Sequence, residues 1–259
     1  MSEAFFTPID DDRFQPSDWC RGPWTPDAMH GSPPSALLGR AIEQTSSRTD
    51  AFIVRASFEL LGPVPIQPLA VRAEVVRPGR NVEMIDASLR TDDREVMRAR
   101  AWRIRTTTLE LEEGERTPFH ASPGESPELP VDVAWEGQNY ISAMEWRFAA
   151  GSFAEQGPAA CWFRMRLPLV EGEEPSPLQR VLCAADSGSG ISNELDFRSW
   201  VYVNPDLTVL LHRHPVREWV CLDATTVVEA HGTGLCTARI YDETGPIGWS
   251  AQTLFAAAR

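Results

Sequence analysis

The stretch "LQRVLCAADSGSG", residues 178–190, is a run of apolar and small residues that stops at a carboxylate and passes into Gly and Ser. The last turn of a helix exposes carbonyls with partial negative charge and favours a cation. Asp186 stands there instead. An acid at the end of so core-like a segment is a candidate for chemistry, general-base work above all. The plain alternative is a solvated end residue. A second group with chemical potential is "HGSPP", residues 30–34. A glycine at a helix start leaves free N–H groups, so Gly31 is a candidate to polarise a carbonyl oxygen. His30 is a candidate to bond a ligand, or else to cap the turn.

Every cation in the chain is an arginine, for there is no lysine. Arg77 and Arg80 flank the turn in "VRPGRN", and Arg98, Arg100, Arg103 and Arg105 crowd one strand. Guanidinium forks match phosphate geometry, so either group could meet a diphosphate; solvated strand and turn charges are the alternative. His212 and His214 in "LHRHP" share a strand face at period two, but no third ligand has suitable spacing. No metal and no cofactor are expected. The net charge of −13 disfavours nucleic acid and anionic membranes as partners.

Five cysteines lie far apart with none at CxxC spacing, which points to reduced thiols and a cytoplasmic setting. The start, "MSEAFFTPIDDDRF", lacks the basic and apolar regions of a signal peptide. No uninterrupted apolar segment is long enough to span a bilayer.

These residues need elements to position them. Pro33 and Pro34 suit a first helical turn, and Ala36, Leu37, Leu38, Ala41 and Ile42 follow at helical spacing, predicting a helix over 33–45. A second helix, also opened by prolines, is predicted over 176–186, each of about four turns. Strand-like segments with alternating apolar residues follow each helix, separated by Pro, Gly or acidic turns. A helix laid on an antiparallel sheet is an α+β layout. Between the halves, "LELEEGERTPFHASPGESPEL" has no apolar period and reads as an exposed linker. The expected division is 1–112, linker 113–135, and 136–259. The segments "VVRPGRNVEMIDASLRTDDREVMRARAW" and "VVEAHGTGLCTARIYDETGPIGWSAQTL" repeat one order of turns and strands, which implies two copies of one fold.

The second half, through the helix ending in Ala-Ala-Asp, "WVYVNPDLTVLLHR", "EWVCLDATTVV" and "GWSAQTL", resembles the second domain of type II acyl-CoA thioesterases. The first half resembles their N-terminal domain through "HGSPPSALLGRAIE" and "VVRPGRNVEMIDASL". The resemblance implies a double hotdog fold, two tandem units each made of a helix wrapped by an antiparallel sheet. It implies an acyl-CoA substrate and a water nucleophile held by an Asp, a Thr and a Gln. The Asp falls on Asp186 and the Gln on Gln252, while the Thr position holds Asn204, whose amide can also bond a water. Ala101 falls near the place of Gln252 in the first copy, and Glu43, loosely opposite Asp186, reads as a solvated helix charge. One working site per chain is therefore expected, in a monomer or a homo-oligomer of double hotdogs.

Three functions are compatible with these residues. The first is an acyl-CoA thioesterase. The second is a hydratase or dehydratase of enoyl or hydroxyacyl thioesters, which wants an Asp–His pair near an Asn and finds no His close to Asp186 in sequence. The third is a non-catalytic acyl-CoA-binding protein.

Overall fold

The computed structural model describes residues 3–45, 50–110, 117, 119, 121–129 and 137–259. Among them, the first half contains β1 (Phe6–Pro8), β2 (Arg13–Pro16), helix α1 (Ser32–Gln44), β3 (Ala51–Leu60), β4 (Leu69–Arg77), β5 (Val82–Arg90) and β6 (Glu95–Arg105). The second half contains the turn α2 (Tyr140–Ala143), β7 (Met144–Ala150), β8 (Ala159–Met165), α3 (Pro177–Ala185) and the single turn α4 (Gly188–Ile191). Its remaining strands are β9 (Trp200–Val203), β10 (Asp206–Leu211), β11 (Val220–Val228), β12 (Thr233–Asp242) and β13 (Gly245–Ala258).

The strands join in one antiparallel sheet, ordered β1-β2-β4-β5-β6-β3-β10-β13-β12-β11-β8-β7, with β9 paired to the far end of β13. Outward from the β3–β10 junction the two arms carry the same succession. β3, β6, β5 and β4 on one side match β10, β13, β12 and β11 on the other. The internal repeat in the sequence is this palindrome. Each arm wraps a helix, as a hotdog fold does, and the two arms make a double hotdog.

The helices are as apolar as central elements must be. Leu37, Leu38 and Ile42 of α1 and Val181 and Leu182 of α3 are fully buried, each side chain contributing roughly 1.5–3 kcal/mol by leaving water. α1 and α3 pack side by side in opposite directions. Gly39 makes their close approach possible, since a β-carbon there would fall 2.3 Å from Leu182 Cδ1. At one end Glu43 accepts hydrogen bonds from Ser176 Oγ and Gln179 Nε2. Glu43 is therefore not a solvated helix charge: it is half-buried against the start of α3, and burial raises its pKa. The N-terminus of α1 is brought to the C-terminus of α3 at the other end.

Both helices begin and end within a residue of expectation, but α3 has nine residues and fewer than the four turns expected. Its continuation is not loose either. Ser187 leads into the turn α4, which packs against β11 and β12, and at Gly188 a β-carbon would fall 3.1 Å from Cys236 Sγ of β12. In the acidic stretch read as an exposed linker, residues 127–129 pair with β7. Leu129 N–H donates to Trp146 O at 2.8 Å and Phe148 N–H to Pro127 O at 3.1 Å. Residues 113–116, 118, 120 and 130–135 of the expected linker fall outside the described residues. All five cysteines are buried and free. No helix among the described residues is long and apolar enough to cross a membrane.

Candidate active site

Asp186 caps the C-terminus of α3 and is 7% exposed. Its Oδ1 accepts two amide donors, Asn204 Nδ2 at 2.7 Å and Gln252 Nε2 at 2.9 Å. Asn204 comes from the short connection between β9 and β10, and its amide also donates to Asp206 O at 3.0 Å. Gln252 comes from β13 and is fully buried. Its Nε2 reaches the Asp186 carbonyl as well, at 3.1 Å, while its Oε1 accepts the Ser189 N–H at 3.2 Å. The side-chain amide of the glutamine thus divides its bonds, Nε2 holding the acid and Oε1 holding the turn that follows it. The two amides orient the carboxylate itself, where the sequence suggested that they orient a water.

The other carboxylate oxygen, Oδ2, faces the start of α1. The Gly31 backbone N–H bonds the Asp186 carboxylate, and Oδ2 lies 3.6 Å from His30 Nδ1. Burial raises the pKa of Asp186 to about 6, against the lowering effect of Asn204, Gln252 and Gly31. Desolvation wins over three hydrogen bonds, and the acid titrates near neutrality, where a general base is most effective.

His30 stacks flat on Tyr140, with centroids 3.9 Å apart and planes 11° from parallel. Its Nδ1 accepts the Ser32 N–H at 3.1 Å, and burial drives its pKa down to about 3. The ring is therefore neutral at pH 7, with its proton on Nε2. His30 and Asp186 form no ion pair, because both facing atoms are acceptors. Tyr140 is fixed in turn, donating to Cys183 O at 2.6 Å and meeting Ser187 Oγ at 2.8 Å.

Gly31 was a candidate to polarise a carbonyl oxygen. With Pro33 and Pro34 lacking N–H groups, α1 begins with two usable donors, and both are taken: Gly31 by Asp186 and Ser32 by His30. Among the described residues, the donors left at this end of the helix are His30 Nε2–H and the Ser32 hydroxyl, which is buried without a partner.

Asp186, Asn204, His30 and Gly31 line a cavity of about 340 Å³. The rest of its wall is largely apolar and includes Met29, Val64, Trp146, Phe153, Phe197 and Phe255. Arg77 and Arg80 are not brought to it. They lie at the β4–β5 turn, whereas the cavity borders the β3–β4 connection, roughly 25–30 Å away along a nine-residue strand. Arg77 donates to Val82 O and rests over the Trp102 ring. The arginines of β6 are paired as well: Arg98 with Glu95, Arg100 with Asp86 and Arg103 with Glu83. An exposed guanidinium that does approach the cavity is Arg94, whose Nη1 would lie 3.8 Å from a β-carbon on Gly62 of the cavity wall. His212 and His214 follow β10, and the His214 ring packs on Phe52, centroids 4.4 Å apart. No cluster of three metal-ligating side chains occurs among the described residues.

Sequence reasoning missed Tyr140 and Ser189. A signal for Ser189 was present in the glycine before it: a β-carbon on Gly188 would fall 3.3 Å from Gln252 Oε1, so the small-residue turn is what admits the buried amide. Sequence reasoning also found no His near Asp186, and the structure corrects this. His30 is distant in sequence but adjacent in space, because α1 and α3 run antiparallel.

Comparison with known proteins agrees with this architecture. A solved protein of unknown function with a hot dog fold from Alicyclobacillus acidocaldarius is 14% identical, with a TM-score of 0.76 over 97% of this chain and 96% of its own. A thioesterase II candidate from Thermobifida fusca is 16% identical, with a TM-score of 0.75 over 97% and 95%. An acyl-CoA thioesterase II from Mycobacterium marinum is 13% identical, with a TM-score of 0.69 over 99% and 96%. No curated protein matches the sequence. The model of the acyl-CoA thioesterase N-terminal domain matches residues 20–104, and that of the acyl-CoA thioesterase C-terminal domain matches residues 123–256, more than half of the chain by itself. With both halves matched in order, the chain belongs to the acyl-CoA thioesterase family.

Proposed function

We propose that this protein hydrolyses an acyl-CoA thioester with a water activated by Asp186. The observation that carries the reading is the division of labour in one buried carboxylate. Two amides pin Oδ1, which leaves Oδ2, on the side of Gly31 and His30, to take a proton from water. The hydroxide equivalent attacks the thioester carbon. As the carbonyl oxygen gains charge, the neutral His30 donates to it through Nε2–H, an electrophilic role that a low pKa suits. Collapse of the tetrahedral intermediate breaks the C–S bond, and the proton held by Asp186 passes to the departing thiolate. The products are a carboxylic acid and free CoA. The apolar wall accommodates the acyl group, and Arg94 at the Gly62 wall meets a CoA phosphate in place of Arg77 and Arg80. Thiol release from a panel of acyl-CoAs tests the reading; binding without release across all chain lengths favours a binding protein instead.

The His30–Asp186 contact gives a second reading its support, a hydratase or dehydratase acting on enoyl or hydroxyacyl thioesters. That chemistry asks the histidine to take up a proton, and a ring whose pKa lies near 3 with Nδ1 tied to Ser32 is a poor base. Loss or gain of enoyl absorbance on incubation with the matching thioesters separates the two.

A further inference from the structure

Tyr202 takes no part in the chemistry above. It stands on β9 opposite Ala256 of β13, four residues along that strand from Gln252, or about 13 Å at the rise of an extended chain. Its side chain is buried, with its ring 5.3 Å from Trp24 and 5.2 Å from Phe197 between centroids. Phe153 stacks on Phe197 at 5.5 Å. All four rings line the cavity that holds Asp186. Within this ring wall the Tyr202 hydroxyl is buried and has no hydrogen-bond partner among the described residues.

An unpaired buried hydroxyl costs free energy, and buried tyrosines ordinarily satisfy theirs. Tyr140, in the same cavity region, does so with two partners. Phenylalanine at position 202 would keep the ring packing without the cost. The hydroxyl is therefore explained by a ligand that completes it. A pantetheine arm brings two amides, each with a donor and an acceptor, whereas the four rings offer one hydroxyl and the indole N–H of Trp24 among apolar surfaces. That environment matches an apolar group bearing a single oxygen.

We propose that Tyr202 is a specificity residue, selecting acyl groups that carry a hydroxyl or keto oxygen remote from the thioester carbon. The inference rests on the thioester-hydrolysis reading for its substrate, and deepens it. A site built to bond an oxygen discriminates against the analogue that lacks it, because its own polar group is then left unpaired.

The test compares octanoyl-CoA and decanoyl-CoA with their terminally hydroxylated counterparts, on the wild-type protein and on Tyr202→Phe. The expected result is a wild-type preference in kcat/KM of about tenfold or more for a hydroxylated member, collapsing toward parity in Tyr202→Phe. A wild-type ratio at or below one overturns the proposal. So does a Tyr202→Phe variant, still folded by thermal melt, that loses equally on both members of a pair, since the hydroxyl then serves the CoA arm. Kd values for the same four ligands on Asp186→Asn read the preference without turnover. A preference in Kd with no hydrolysis by the wild type sinks the hydrolase reading and leaves the role of Tyr202 intact; hydrolysis with no preference does the reverse.

Discussion

A β-carbon on Gly31 would lie 2.5 Å from Asp186 Oδ2. The residue that caps the start of one hotdog's helix and the residue that caps the end of the other's are therefore fitted to each other with no room for a methyl group. Gly31 has ordinary helical backbone angles, so the glycine is required by this approach and not by its conformation. Because Oδ1 is held by two amides, the carboxylate cannot swing aside freely. Gly31→Ala is expected to displace Oδ2 and cut kcat by roughly 10²-fold, the cost of about an ångström of misplacement. The measurement is kcat for thiol release alongside a thermal melt. Near-parental turnover in Gly31→Ala would show that the position of Oδ2 does not matter.

Gln252 and Asn204 both stabilise the ionised form of Asp186 by donating to it, and each lowers its pKa against the rise due to burial. Gln252→Ala or Asn204→Ala removes a donor while the desolvation remains. The acid limb of the kcat/KM–pH profile, expected near the Asp186 pKa of about 6, should move to higher pH in either variant. A pH profile that keeps its midpoint while its plateau falls would instead assign these amides to the water or the substrate.

Arg94→Ala should raise KM for acyl-CoA about five- to tenfold, the worth of roughly one charge-assisted contact. The same acyl group on N-acetylcysteamine, which has no phosphates, should show no comparable change. Equal losses on both thioesters would remove Arg94 from the CoA site.

Much of the fold was legible in the sequence, because strand alternation, proline-opened helices and the repeated order of turns are all local patterns. Asp186 was legible for the same reason: a carboxylate ending an apolar helix is visible in one short stretch. The partnership of His30 with Asp186 was not, since it depends on two helices from different halves lying antiparallel, a relation no local pattern encodes. Arg77 and Arg80 show a related limit. A turn with two arginines looks the same at either end of a strand, and only the strand order places this turn at the end away from the cavity. Glu43 was read as solvated because its helix position is polar, yet the start of α3 covers it.

Asp186→Asn should abolish most turnover, by about 10²–10⁴-fold, while leaving acyl-CoA binding nearly intact, since asparagine keeps the volume but cannot accept the proton of water. The same variant should be more stable than its parent, and by an amount that depends on pH. Burial raises the Asp186 pKa in the folded state from 3.8 to about 6, so the fold binds that proton more tightly than the unfolded chain does. As pH rises from about 4 through 6, ionisation in the folded protein therefore costs stability, and above 6 the cost is constant. At about 1.4 kcal/mol per pKa unit it reaches at most roughly 3 kcal/mol, less whatever asparagine loses by facing the Gly31 N–H. His30 works in the opposite sense: its pKa falls from 6.5 to about 3, so its contribution to stability is present above 6.5 and is lost as pH drops. It is present in both proteins, which makes the difference between them the informative quantity. Denaturant unfolding of parent and variant at pH 4, 5, 6 and 8 should show the variant's advantage growing up to about pH 6 and then levelling. An advantage that is flat across this range would mean that Asp186 titrates as a solvated carboxylate, and the case for it as a buried general base would fall with it.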